Sequence, residues 1–139
     1  MVNFALFLAA LEKAIALCVE GADVSTVCGQ VDDFIEEELK KTYSNKKSKK
    51  LERGIAFPTC ISVNEIAGHF SPCPEDSIKL KNEDLVKIEL GAHMDGYSAN
   101  AAHTIVIGGK SKGKQADAIL AAYNAFLAAT RSLKVGGLN

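Results

Sequence analysis

No C-x-x-C pair occurs in this chain. Cys18, Cys28, Cys60 and Cys73 stand apart, and none of His69, His93 and His103 lies at metal-ligand spacing from them. Zinc-finger readings fail on that count. A secretion signal is missing too: the apolar start Phe4–Leu11 has no basic stretch before it and runs straight into Glu12 and Lys13, unlike a secretory leader. The cysteines therefore read as reduced, buried thiols of an intracellular protein. No apolar run approaches the roughly 20 residues of a membrane helix, so no membrane partner is expected. Net charge is −1, and no global field points to nucleic acid. No internal repeat divides the chain.

What is present suffices for one domain with a core, since 47% of the 139 residues are hydrophobic. Asn3 can cap a first helix whose apolar stripe is Phe4, Leu8, Leu11, Ile15 and Cys18, ending at Gly21. Asp23 or Ser25 can cap a second, with Val24, Val27, Val31, Phe34 and Leu39 inward, weakened at Gly29 by up to about 1 kcal/mol relative to alanine. Thr42–Arg53 is a polar, basic loop. Pro58 limits a strand around Ile55 to a boundary or an edge, and Ile61–Val63 makes a second short strand. Pro72 and Pro74 break the chain, and Gly108–Gly113 forms a turn. Lys114–Lys134 is a third helix with Ile119, Leu120, Tyr123, Phe126, Leu127 and Leu133 apolar. Helices, then an antiparallel sheet, then a helix describe an α+β domain.

The most informative stretch is Lys87–Val106. Asp95-Gly96 between two alternating runs is a two-residue turn signal, because both central residues need positive φ. That turn pairs Met94 with Tyr97, Ala92 with Ala99, Leu90 with Ala101 and Ile88 with His103. One face then carries Val86, Ile88, Leu90, Ala92 and Met94 opposite Tyr97, Ala99, Ala101 and Ile105, and belongs to the core. The other carries Lys87, Glu89, Gly91 and His93 opposite Ser98, Asn100, Ala102 and Thr104. Glu89 lies across from Ala102 and diagonal to Asn100, about 7–8 Å away between Cα atoms. Two readings of this polar face stay open: it faces water, as one side of an antiparallel sheet commonly does, or its small residues line a cavity. His93 is expected to be solvated near the turn. His103, on the apolar face, is expected to be a satisfied core histidine.

Several ordered segments then carry a resemblance. They are G-I-A-F-P-T at Gly54–Thr59, I-S-V-N at Ile61–Asn64, H-F-S-P at His69–Pro72, D-L-V-K-I-E-L-G at Asp84–Gly91 and A-N-A-A-H-T at Ala99–Thr104. The chain resembles the type 2 methionine aminopeptidase scaffold. It is closer still to that scaffold's non-enzymatic relatives, the proliferation-associated, ErbB-receptor-binding proteins of eukaryotes. The resemblance implies the creatinase/aminopeptidase "pita-bread" fold, of which residues 1–139 would be the first of two pseudo-symmetric halves. In the aminopeptidases two aspartates of this hairpin ligate a pair of divalent metals, and the resemblance places Glu89 and Asn100 at those positions. A neutral amide is a poor partner for two cations that need anionic bridges. His69 aligns with the family's catalytic histidine as a relic position, and the remaining family ligands lie in a second half. The resemblance thus implies no catalytic residue, no metal and no cofactor.

Function is then sought on the surface. Lys40, Lys41, Lys46, Lys47, Lys49, Lys50 and Arg53 form a basic cluster beside an acidic helix face of Asp32, Asp33, Glu36, Glu37 and Glu38. It reads either as a solvated, charge-balanced surface or as a phosphate-binding one, with Lys46, Lys47, Lys49, Lys50 and Arg53 as contacts. Tyr43 is nearby, but no aromatic platform for base stacking is present. The resemblance favours RNA or a ribosomal particle, with protein partners, in growth and translation control. It implies a cytoplasmic protein, also nuclear or nucleolar. The alternative is a metal-dependent methionine aminopeptidase, active only with a C-terminal half. The sequence reaches Gly136-Gly137-Leu138-Asn139 where the family chain would continue, which leaves open a removed second half, a half-length protein, or a truncated piece without function of its own. A homodimer would place two copies about a true twofold through the pseudo-twofold face.

Overall fold

In the computed structural model, residues 4–42 and 51–137 are described, and for residues 4 and 5 the backbone alone. They fall into two units, residues 1–109 and 110–139. The first contains α1 (Phe4–Leu17), α2 (Val24–Lys41), β1 (Arg53–Val63), a 3-10 turn at Pro74–Asp76, β2 (Leu85–Met94) and β3 (Tyr97–Val106). The second contains α3 (Lys114–Ser132), on which no residue is buried.

The sheet is antiparallel in the order β1-β2-β3, so β2 is central. The β2–β3 register agrees with the turn argument at every pair, from Met94↔Tyr97 through Glu89↔Ala102 to Leu85↔Val106. Its cause is local: Asp95 and Gly96 adopt φ of 54° and 78°, the pair of positive values that a tight hairpin turn requires. Val86, Ile88, Leu90 and Ala92 are fully buried on one face of β2. They pack with Ile61 and Val63 of β1 and with residues of both helices. Burying each of the large side chains contributes about 1.5–3 kcal/mol.

The helices cover this face. In α2 the buried stripe is Val24, Val27, Cys28, Val31, Ile35 and Leu39, an i, i+3, i+4 pattern close to the expected one. Phe34 is only partly buried, with the Lys13 ammonium 5.3 Å from its ring centre. Asp23 caps the start: its Oδ1 accepts from the Thr26 N–H at 3.0 Å and from the hydroxyls of Ser25 and Thr26. These bonds, the Thr26 backbone N–H first, hold the Asp23 carboxyl down to about 2. At the other end the Arg53 guanidinium donates to the carbonyls of Leu39 (3.1 Å) and Thr42, cationic capping of a helix C-terminus.

Several expectations are corrected. Among the described side chains of α1 the buried ones are Leu6, Phe7, Ala10 and Ala14, while Leu8 is 46% exposed and the side chain of Phe4 lies outside the described ones. This helix is apolar on several sides, so periodicity alone does not choose its inner face; the small Ala10 and Ala14 let it approach its neighbours closely. Asn3 lies outside the described residues. The strand at Ile55 and that at Ile61–Val63 are one strand, β1, irregular between Ile55 and Phe57 and between Phe57 and Cys60. Pro58 therefore sits at a bulge on an edge strand, where a missing N–H is tolerated.

Asp32 is not simply solvated. Its Oδ1 accepts from the Thr59 N–H at 2.9 Å and from the Thr59 hydroxyl at 2.6 Å, tying α2 to the bulge. His103 is exposed, because β3 is an edge strand and its outer half is poorly covered. Cys18, Cys28 and Cys60 are buried free thiols, but Cys73 is exposed. Burial pushes the Cys18 thiol up to about 11 and the Cys28 thiol up to about 12. The third helix ends at Ser132, two residues before the expected Lys134. Among the described residues no helix is long and apolar enough to cross a membrane.

Candidate functional site

The polar face of the sheet is built by cross-strand neighbours. β1 sets Cys60 beside Glu89, Ser62 beside Lys87, and Phe57 beside Gly91. β3 sets Asn100 on the other side of Gly91 and Ala102 beside Glu89. A side chain at Gly91 would crowd both neighbours: a Cβ would lie 2.6 Å from Asn100 Oδ1 and 2.7 Å from Phe57 Cε1. The asparagine and the phenylalanine lean over the space that glycine leaves.

The loop after β1 brings in the histidine. Ile61 N–H donates to the Phe70 carbonyl at 2.8 Å, and Phe70 N–H donates to the buried Ser62 Oγ at 3.2 Å. Those two bonds fix the residues just before Phe70. Gly68 approaches so closely that its Cβ would lie 3.0 Å from Glu89 Oε1. His69, at φ 61°, points its Nδ1 to Glu89 Oε2 at 3.4 Å. The His69 side chain is 89% exposed and that of Glu89 26%. Glu89 is thus held between a loop glycine and an exposed imidazole.

Of the two readings of this face, a plain water-facing surface does not describe it. Cys60, Ser62 and Gly91 are buried while Asn100 and Ala102 are exposed, so the face is half closed. Burial raises the Cys60 thiol, and the Glu89 carboxylate beside it adds to the shift. Burial lowers Lys87, whose ammonium donates to the Asn64 carbonyl at 2.6 Å. His93 is half-buried instead of solvated; its Nδ1 is buried with no hydrogen-bond partner among the described residues.

The donor set does not fit a two-metal centre by itself. Paired divalent ions need several anionic oxygen ligands that bridge them. Among the described residues no group of three or more His, Cys, Asp or Glu could hold a metal ion. Glu89 supplies one carboxylate, already against Gly68 and His69. Asn100 supplies only an amide oxygen, turned toward Gly91.

Of the basic residues, Lys46, Lys47, Lys49 and Lys50 lie outside the described residues. Arg53 is engaged on the end of α2. Lys40 and Lys41 are exposed and pair with Glu36 and Glu38 at 3.5 and 2.6 Å, contacts that solvent screens strongly. Sequence reasoning missed Ser62, Gly68 and Phe57. Only Gly91 gave a signal, as a glycine inside a strand where another group comes close.

Residues 6–138 match metallopeptidase family M24. The chain is 52% identical over 131 residues to proliferation-associated protein A of Dictyostelium discoideum, covering 91% of this chain and 34% of the relative. It is 41% identical over 133 residues to the curved DNA-binding protein of Schizosaccharomyces pombe, covering 93% and 34%. The solved structure of a thermophilic Arx1 superposes with a TM-score of 0.74 at 32% identity, over 86% of this chain and 33% of that one. The chain spans about a third of the length of the curated relatives it matches. It belongs to metallopeptidase family M24. Both the pita-bread architecture, in its first half, and the likeness to proliferation-associated and ErbB-3-binding proteins are thereby shown.

Proposed function

We propose that this member of family M24 is a non-catalytic adaptor on a methionine-aminopeptidase-like scaffold, which binds RNA or an RNA-containing ribosomal particle. The single observation that carries the non-catalytic reading is the state of the hairpin's polar face. There one carboxylate, Glu89, is held by Gly68 and His69, and an amide stands at Asn100. The binding surface is assigned to Lys46, Lys47, Lys49 and Lys50, which follow the exposed end of α2 in sequence. That one relative is named a curved DNA-binding protein supports a nucleic-acid ligand. Arg53 is given a positioning part, since it anchors the end of α2 to the start of β1. Protein partners in growth control and a place in cytoplasm and nucleolus belong to the same proposal.

Lysines contact phosphates and not base edges, so binding should be salt-sensitive and largely blind to sequence. Anisotropy titration with a structured RNA at several salt concentrations is the test. Four lysine contacts to single-stranded segments give a log–log slope near −3, from about −0.7 per contact. The fourfold reversal K46E/K47E/K49E/K50E should abolish both affinity and slope; unchanged affinity sinks the assignment. A second reading, a metal-dependent aminopeptidase completed by a further half, is favoured by membership of a metallopeptidase family and by the Glu89 carboxylate with its neighbour His69. Calorimetry with manganese or cobalt addresses it. Tight uptake of two ions per chain would move the conclusion to that reading.

A further inference from the structure

A groove of about 360 Å³ is lined by Val63, Glu65, Ile66, Ile78, Lys79 and Lys81 among others. One wall is the extended segment around Lys79, which forms an isolated antiparallel bridge with Asp23. Its hydrogen bonds to that side come from its neighbours: Val24 N–H donates to the Ile78 carbonyl at 3.0 Å, and Leu80 N–H to the Ala22 carbonyl at 2.9 Å. In such a bridge the central residue's own N–H and C=O point to the opposite side. Among the described residues no hydrogen bond uses either group of Lys79.

The other wall is held by side-chain hydrogen bonds. Asn64, at φ 50°, accepts from the Leu85 N–H at 2.9 Å and donates to Asp84 Oδ1 at 2.8 Å. Asp84 Oδ2 accepts from the Lys81 N–H at 2.7 Å, so of the two carboxylates that line the groove, Asp84 and Glu65, that of Asp84 holds a hydrogen bond at each oxygen, and the charge of Glu65 acts on Lys87. Ile66 is half-buried and Ile78 is 38% exposed. Lys79 and Lys81 are exposed, and among the described residues neither ammonium is in an ion pair.

We propose that this groove docks an extended acidic peptide, which adds one short strand to the free backbone edge of Lys79. Its central apolar side chain lies between Ile66 and Ile78, and flanking carboxylates meet Lys79 and Lys81. Each feature has a part in that recognition mode: main-chain hydrogen bonds supply affinity, alternate side-chain pockets supply selectivity, and charge sets partner choice. The groove's lining residues are not the lysines assigned to RNA, and the proposal does not depend on that assignment.

The test uses the full chain and a capped peptide with acidic residues on both sides of a central valine. Binding is read by anisotropy and by amide chemical shifts. Expected are a Kd on the order of 100 µM, a downfield shift of the Lys79 amide, and loss of binding when the peptide backbone is N-methylated at the paired positions. The exposed double change K79E/K81E should weaken binding about tenfold or more, with the circular dichroism spectrum unchanged. Equal binding of the N-methylated peptide, or no effect of K79E/K81E, overturns the proposal. So does movement of the Lys79 amide by an RNA oligonucleotide, or by raising protein concentration alone, where the peptide moves it not at all.

Discussion

On one face of β2, Val86, Ile88, Leu90 and Ala92 are shielded completely; on the other, Lys87, Glu89 and His93 stay half exposed around a buried Gly91. The same ten residues thus obey two kinds of constraint. The apolar face is held by area removed from water, and it tolerates no loss of volume. The polar face is held by contact geometry: a missing Cβ at Gly91, a loop glycine against Glu89, an imidazole at 3.4 Å. Its individual side chains contribute little to stability. A scaffold of this kind can keep the shape of a site while the chemistry of that site changes.

The contrast can be tested by substitution. Leu90→Ala leaves a cavity under the centre of the sheet and should cost about 2–5 kcal/mol, measured by urea denaturation. Asp32→Ala leaves the buried Thr59 N–H and hydroxyl without their acceptor. The expected loss is about 1–3 kcal/mol, and Asp32→Asn, which keeps an oxygen, should recover part of it. Gly91→Ala on the polar face should cost about 1–3 kcal/mol, since the Asn100 amide and the Phe57 ring, side chains and not backbone, must shift to admit it. Adding Asn100→Ala should return some of that loss, a coupling that a double-mutant cycle reads directly. Should Gly91→Ala prove as damaging as Leu90→Ala, the polar face is not the permissive one.

The smallest effect concerns pH. Asp23 is held down to about 2 from an ordinary 3.8. A depressed carboxyl contributes stability that is complete above its unfolded value and fades as pH falls toward the folded one. Thermal melts should therefore show a loss attributable to this cap between about pH 4 and pH 2, absent in Asp23→Ala. An identical acid limb in the variant would remove Asp23 from the account.

How much of this was legible beforehand follows the same division. The hairpin register and its buried face could be read because Asp95-Gly96 and strict alternation are local signals. So could the cap at Asp23 and most of the α2 stripe. The inner face of α1 could not, since a helix apolar on several sides leaves the choice to its neighbours. The bulged continuity of β1 past Pro58 depends on the anchor from Asp32, residues away in sequence. The meeting of His69 with Glu89 is likewise nonlocal: it is set by Ser62 holding the Phe70 backbone, and no spacing in the chain announces it.

One crossed measurement bears most directly on the claim that function has left the hairpin face for the lysine-rich surface. RNA affinity would be measured at fixed salt for the unaltered chain, for K46E/K47E/K49E/K50E and for the double change E89Q/N100A. The account predicts that the lysine variant loses binding, while the hairpin variant retains it within about twofold, a difference below 0.5 kcal/mol. Loss of RNA binding in E89Q/N100A, with binding kept in the lysine variant, would contradict it.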